Sequence, residues 1–499
     1  MQNGGTMEEK YQKLLYWFKE ISKIPRNSKE EEKIAEWICN FAKERNLEYY
    51  KDELHNVLIK KNASKGYEQK KPIILQAHTD MVCVKDEGIE HDFTKDSIEI
   101  IESKDTYIAK GTSLGADDGI GVAYLLLILD DNSINHPEIN CLFTTQEEIG
   151  MDGAGFFDYS KIKADYLINV DNEEENTATV GCAGGVRLEY LKNIQMTKIR
   201  SPYVRRLKIS GLSGGHSGVD IDKKRINANF LAAYILKNYV FSPKIVSFNG
   251  GTKDNAIANS VEVEFITPKT PVNGIETFKE DLYNNEIPEI KLTEADKNIN
   301  IEIERKRAIV GEKGVIKTDA LSNDDSREFL ELILSLKQGV VEMNKDKSGF
   351  VETSGNIGIV KTKKIDNVNE LQVNITELVR SSDDSKKNEV KRYNNDLAKS
   401  LGYLSNEESD YPGWKYKTNS KIEQVYKEVY KQTHNGEEPI INIIHAGVEC
   451  GLIYKKMPNL ELISIGPDLK DVHTTRETLY LKSCKKLLET LLLLIDKLD

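Results

Sequence analysis

Apolar residues at helical intervals (Tyr11, Leu14, Leu15, Phe18, Ile21) predict a helix over 8–24, and a second is predicted from Ser28 to about residue 45. Strand patterns follow at 56–60 and 72–76. The run Ile73-Ile74-Leu75 lacks polar alternation, the mark of a strand covered on both faces. A helix over 117–129 and further buried strands at 139–145 and 166–170 continue the alternation. Strands alternating with helices predict an α/β layer fold with a mixed sheet.

Beyond about residue 185 the pattern changes. Strands at 204–209, 244–249 and 261–266 flank a helix over 228–239, and strand-like pieces at 299–303, 308–311, 356–360 and 370–378 surround a helix over 324–336. These read as an α+β insertion of two βα-type units. Helical spacing returns at 390–401 and 420–433, followed by an apolar segment at 446–453, a strand at 460–465 and a terminal helix at 481–498. The expected organisation is one α/β domain made from both chain ends, 1–186 and 385–499, interrupted by an inserted domain over 187–384.

Length and charge sharpen this picture. A chain of 499 residues exceeds one ordinary domain, about 150 residues. The net charge of −12 opposes nucleic acid or an anionic membrane as partner. The longest apolar run, 122–129, falls far short of the roughly 20 residues that cross a bilayer. The first 20 residues carry no secretory apolar core, and the six cysteines form no CxxC pair. A cytoplasmic protein with reduced thiols is expected.

Five segments place ligand-type residues just past a predicted strand or at a helix start. They are His78-Thr79-Asp80, Gly115-Ala116-Asp117-Asp118-Gly119, Glu147-Glu148-Ile149-Gly150, Asp171 after the 166–170 strand, and Asp471-Val472-His473. Each alone has an ordinary reading as an N-cap or a charged loop. Together they would crowd carboxylates onto one rim, a repulsion that a pair of divalent cations removes.

These motifs, in this order and approximate spacing, resemble the di-zinc metallopeptidases related to carboxypeptidase G. They resemble most the branch of aminoacyl-histidine dipeptidases. Ser213-Gly-Gly-His216, Asn249-Gly-Gly-Thr252, Asn255-Ala-Ile, Val379-Arg380-Ser-Ser and Ile444-His445-Ala-Gly447-Val-Glu449 carry the closer likeness, which runs from about residue 8 to the C-terminus.

The resemblance implies a metal-dependent dipeptidase acting on short peptides, of Xaa-His type or broad specificity. An N-acyl-amino-acid deacylase and a tripeptide aminopeptidase of the same fold are the alternatives. It further implies two divalent cations, zinc first, with manganese or cobalt as alternatives. His78 and Asp171 would hold one, Glu148 and His473 the other, and Asp117 would bridge them. Glu147 would be the general base and Asp80 would orient His78. The inserted domain would act as a lid whose His216 stabilises an oxyanion. Asn255 and Arg380 would hold the substrate carboxylate, with the backbone of Gly447 close by. Glu449 is either a receptor for the substrate ammonium or a helix-surface acid. A cis peptide bond between Asp117 and Asp118 is also implied, while monomer and homodimer stay open. His55, His91, His136, His434 and His445 have no ligand partner at motif spacing, His445 being the doubtful one.

Overall fold

Every residue of the strands Ile73–His78, Ile139–Thr144 and Tyr166–Asn169 is buried, which is what their unbroken apolar runs demand. In this computed structural model, residues 5–499 are described except 202–203, 269–271, 285, 289, 307–315 and 366. The chain forms two compact units, Met1–Cys182 with Trp414–Ile443 and Val448–Asp499, and Ala183–Gly413 with Ile444–Gly447.

The first unit is built on a mixed sheet of eight strands. Their order is Glu48–Lys51, Val57–Lys61, Ile139–Thr144, Ile73–His78, Tyr166–Asn169, Glu461–Ser464, Thr177–Cys182 and Ile440–Ile444. The four from Ile139–Thr144 to Glu461–Ser464 run parallel, so their C-terminal ends share one edge. The helix Ala116–Asp130 is buried along 118–129 and is apolar around its whole circumference, as a helix enclosed by other elements must be. The Tyr124 hydroxyl on this helix donates to the Cys484 carbonyl on the terminal helix Leu481–Lys497 (2.7 Å). All six cysteines are free thiols.

The second unit is a larger antiparallel sheet. Its order is Asn300–Lys306, Val204–Ser210, Val261–Ile266, Lys244–Gly250, Val351–Ile365, Glu370–Ser381, Gly184–Gln195 and Leu404–Tyr411, with Gly339–Met343 also paired to Val351–Ile365. Helices Ala228–Tyr239 and Asn323–Ser335 contribute Leu231, Ile235, Phe329 and Ile333 to a core that includes Phe248 and Phe265.

The structure differs from the sequence pattern in definite places. Ser28 does not open the second helix, which runs Glu32–Glu44; its hydroxyl instead donates to Asp80 Oδ2 (2.8 Å). The helix Asp384–Ser400 and the strand Leu404–Tyr411 lie in the second unit, although the pattern put a domain edge at 384. Helical periodicity does not say which sheet a helix covers, and the pairing of Leu404–Tyr411 with Gly184–Gln195 decides it. The piece at 308–311 falls outside the described residues.

Candidate active site

The parallel strands deliver side chains to a single edge, the place where open α/β sheets collect ligands. His78 ends its strand, Glu147 and Glu148 occupy a single 3-10 turn just past Ile139–Thr144, and Asp171 lies two residues past Tyr166–Asn169. Asp117 comes from the start of the helix Ala116–Asp130, where the Asp117–Asp118 peptide bond is cis. His473 comes from the loop after Leu469–Lys470.

Asp117 stands between two imidazoles. Its Oδ1 lies 3.2 Å from His78 Nε2 and its Oδ2 lies 3.0 Å from His473 Nε2. On the outer sides, Asp171 Oδ1 is 3.6 Å from His78 Nε2, and Glu148 Oε2 is 3.0 Å from His473 Nε2. Ligand atoms of His78, Asp118 and Asp171, of His78, Glu147 and Glu148, and of Asp117, Glu148 and His473 form groups within 4.8 Å. Asp118 has other work, since its carboxylate accepts from the backbone N–H of His78 and of Gly121 (both 3.1 Å).

Asp80 is fully buried and its carboxylate faces the other ring nitrogen of His78 (3.4 Å). It also accepts from the Glu147 and Glu148 backbone N–H groups (3.1 and 3.2 Å). The hydrogen bond of His78 Nδ1 goes to the Asp80 backbone carbonyl (3.1 Å), beside the carboxylate that pins the turn bearing both glutamates.

Burial opposes a charge on His78, but Asp171, Asp117 and Asp80 outweigh it and raise its pKa well above the ordinary value. Hydrogen bonds to Asp117 and Glu148 lift His473 to about 10. Burial raises Asp171 to about 6, against the pull of His78. Burial also raises Glu147, with Asp171, Glu449 and Glu148 adding to the effect. Four carboxylates thus face two imidazoles, and the buried Glu148 Oε1 has no hydrogen-bond partner among the described residues. This nitrogen and oxygen donor set, with its excess of negative charge and an orphaned carboxylate oxygen, fits divalent cations.

A polar ladder lies behind these side chains. Asn169 Nδ2 donates to Gln76 Oε1 (2.7 Å), and Gln76 Nε2 donates to Glu449 Oε2 (2.6 Å), which also accepts from Thr144 Oγ1 (2.8 Å). Glu449, only 1% exposed, is therefore not the helix-surface acid that was one alternative. Its occupied oxygen ties the strands that carry His78, Glu148 and Asp171.

The remaining expected site residues lie in the second unit. His216 Nδ1 accepts from the N–H groups of Gly218 and Val219 (3.1 and 3.2 Å), so the neutral ring carries its proton on Nε2. Burial and the Arg380 charge hold its pKa below the ordinary value. Arg380 is 5% exposed and donates to the Tyr411 hydroxyl (2.9 Å). Its Nε has no partner, and no carboxylate pairs with it among the described residues. Asn255 is exposed, and its carbonyl accepts from Ser217 N (2.8 Å). A Cβ on Gly447 would stand 2.6 Å from the Tyr411 ring, so glycine there lets the loop pack on the tyrosine that touches Arg380. His445 is buried and its Nε2 meets Ser354 Oγ at 2.7 Å. Of the other histidines, His434 pairs with Glu175 (3.0 Å) and His136 with the Pro137 carbonyl (2.7 Å).

Residues 74–497 match the profile of Peptidase family M20/M25/M40. The chain belongs to that family. It is 36% identical over 473 residues to the cytosol non-specific dipeptidase of Escherichia coli (strain K12), covering 93% of each chain. Among solved structures, the aminoacylhistidine dipeptidase from Vibrio alginolyticus superposes with a TM-score of 0.89 at 33% identity, over 97% of this chain and 96% of that one. Aminopeptidase PepT from Bacillus cereus ATCC 10987 shares the fold, with a TM-score of 0.58 at 16% identity over 98% of each chain.

Two buried charges of this M20 chain escaped the sequence reading. Glu477 and Arg26 both contact the loop before Asp117. Glu477 lies four residues past His473, the only positional signal it offers; Arg26, next to Pro25, offers none.

Proposed function

We propose that this M20-family chain is a two-metal dipeptidase that hydrolyses the peptide bond of short peptides, Xaa-His dipeptides among them. The observation that carries the proposal is the Asp117 carboxylate, with one oxygen turned to His78 and the other to His473 (3.2 and 3.0 Å). His78 and Asp171 would hold one divalent cation, Glu148 and His473 the second, and Asp117 both. Zinc suits this mixed imidazole and carboxylate set, as do manganese and cobalt. When bound, the cations supply Lewis acidity that acidifies water and polarises a peptide carbonyl.

The chain's own groups do the rest. Glu147, whose pKa burial raises, takes a proton from the attacking water and returns one to the departing amine. Asp80 fixes the His78 ring. His216 donates from Nε2 to the oxyanion that develops on the carbonyl. Arg380, buried without a carboxylate partner, is matched to the peptide's C-terminal carboxylate, with Asn255 as a further donor. Six free thiols and the name of the Escherichia coli relative support a cytosolic setting. Among the described residues no helix is long and apolar enough to cross a membrane.

The test is a substrate panel on metal-reconstituted protein, comprising β-Ala-His, other dipeptides, tripeptides and N-acylated amino acids. Dipeptides with a free amine should give the highest kcat/KM. Preferential cleavage of N-acyl amino acids or tripeptides would reassign the chain to another activity of its family.

A further inference from the structure

The turn that presents Asp117 is held from both sides by two buried side chains of opposite charge. On one side, Glu477 Oε2 accepts from the N–H groups of Leu114 and Gly115 (2.8 and 2.9 Å), and Oε1 from those of Ala116 and Asp117 (2.7 and 3.2 Å). Four consecutive N–H groups converging on one point make the concave nest that elsewhere binds free anions. Here the chain fills it with its own carboxylate, 2% exposed. Both oxygens act as acceptors toward these four N–H groups.

On the other side, Arg26 is also 2% exposed and makes no ion pair among the described residues. Its Nη1 donates to the Thr79 and Asp80 carbonyls (3.1 and 3.3 Å), and its Nη2 donates to the Gly115 carbonyl. The sequence makes room for it. A Cβ would come within 2.5 Å of Nη2 at Gly115 and 2.6 Å at Gly119, and Gly115 also has φ +68°. Arg26 thus ties the segment after His78 to the Asp117 turn, and Glu477 ties that turn to the loop bearing His473.

The geometry points to Glu477 and Arg26 as positioning residues that set the affinity of the Asp117 bridge for divalent cations. The inference rests on the two-metal reading above. Bridging requires both Asp117 oxygens to keep their directions toward His78 and His473, and the Asp117 N–H bonded to Glu477 fixes the backbone from which that carboxylate hangs. Groups behind metal ligands commonly change metal affinity by about 10–100-fold.

Glu477→Gln tests this with little change of shape, because the amide offers one acceptor and turns an NH2 group against two of the four N–H donors. The readout is Zn2+ affinity by competition with a chromophoric chelator, beside the visible spectrum of the Co2+-loaded protein and the melting temperature of metal-free protein. The wild type should bind two equivalents. Glu477→Gln should bind them about 10–100-fold more weakly with a perturbed Co2+ spectrum. Wild-type affinity in that variant, even with a lowered melting temperature, would reduce Glu477 to a structural residue and overturn the inference. Should Glu477→Gln not fold, Arg26→Lys decides; it keeps the charge but loses the fork, and wild-type Zn2+ affinity there overturns the inference equally. A wild-type protein that binds no metal would instead sink the two-metal reading, and the clamp with it.

Discussion

Glu147 and Arg380 divide the proposed chemistry between proton transfer and substrate binding, so substitutions at them should separate in the kinetics. Glu147→Gln leaves the carboxylates and imidazoles around Asp117 in place while removing the group that moves the proton. The expected result is unchanged metal content with kcat lowered by about 10²–10⁴-fold, checked by metal analysis and steady-state rates on the same sample. Arg380→Ala should act on substrate affinity instead. Losing hydrogen bonds between charged groups costs about 1.5–3 kcal/mol, so kcat/KM should fall roughly 10–100-fold, chiefly through KM. A dipeptide with an amidated C-terminus gives the sharper check. The wild type should favour the free acid, and Arg380→Ala should lose most of that preference; a variant that keeps it would show that Arg380 does not read the carboxylate.

At the scale of elements, burial made the parallel strands legible, although the equally buried strand Thr177–Cys182 went unread. The strands Ile73–His78, Ile139–Thr144 and Tyr166–Asn169 could be read because parallel strands covered on both faces have no polar alternation to blur them, and residues of the candidate metal centre sit at their ends. The strand Gly184–Gln195 was hidden by its position. Its buried Val186, Leu188 and Tyr190 do alternate with more exposed residues, but they lie where the composition changes and an α/β rhythm stops. Leu404–Tyr411 is mostly exposed and polar, and nothing local marks it as a strand. Glu477 and Arg26 were illegible for another reason, since a charge that bonds backbone groups distant in the sequence has no periodicity. Glycines carry part of the missing information. A Cβ on Gly121 would lie 2.1 Å from Asp118 Oδ1 and 2.6 Å from the Val170 carbonyl, which immediately precedes Asp171. Gly121→Ala should therefore destabilise the first unit by about 1–3 kcal/mol through overpacking, read as a lowered urea midpoint. An unchanged midpoint would mean that the turn and strand end yield freely.

The whole molecule carries two buried titratable groups in its second unit whose effects on stability have opposite sign. His445 is pushed down from 6.5 to about 3 by burial, with the Arg380 charge adding to it. Between those values the unfolded chain binds the proton and the folded one does not, so His445 makes stability fall as pH drops from about 6.5 toward 3. Glu377 is fully buried, accepts from the Tyr190 hydroxyl (3.0 Å) and from Asn394 Nδ2 (2.8 Å), and is raised by burial from 4.5 to about 8. Here the folded chain holds the proton and the unfolded one releases it, so stability falls as pH rises from about 4.5 toward 8. Between about 4.5 and 6.5 the two slopes oppose each other, and above that window Glu377 acts without His445. Glu377→Gln retains an acceptor for Tyr190 and cannot ionise. Relative to wild type, the variant should gain stability between about pH 4.5 and 8, with a slope that approaches about 1.4 kcal/mol per pH unit near the middle of that range and falls to about half by pH 8, and should show no such gain below pH 4.5, where both side chains are neutral. Paired denaturant titrations across that range measure the difference directly, because contributions from the carboxylates around Asp117 are common to both proteins and cancel. A pH-independent difference would mean that Glu377 titrates alike in the folded and unfolded chains.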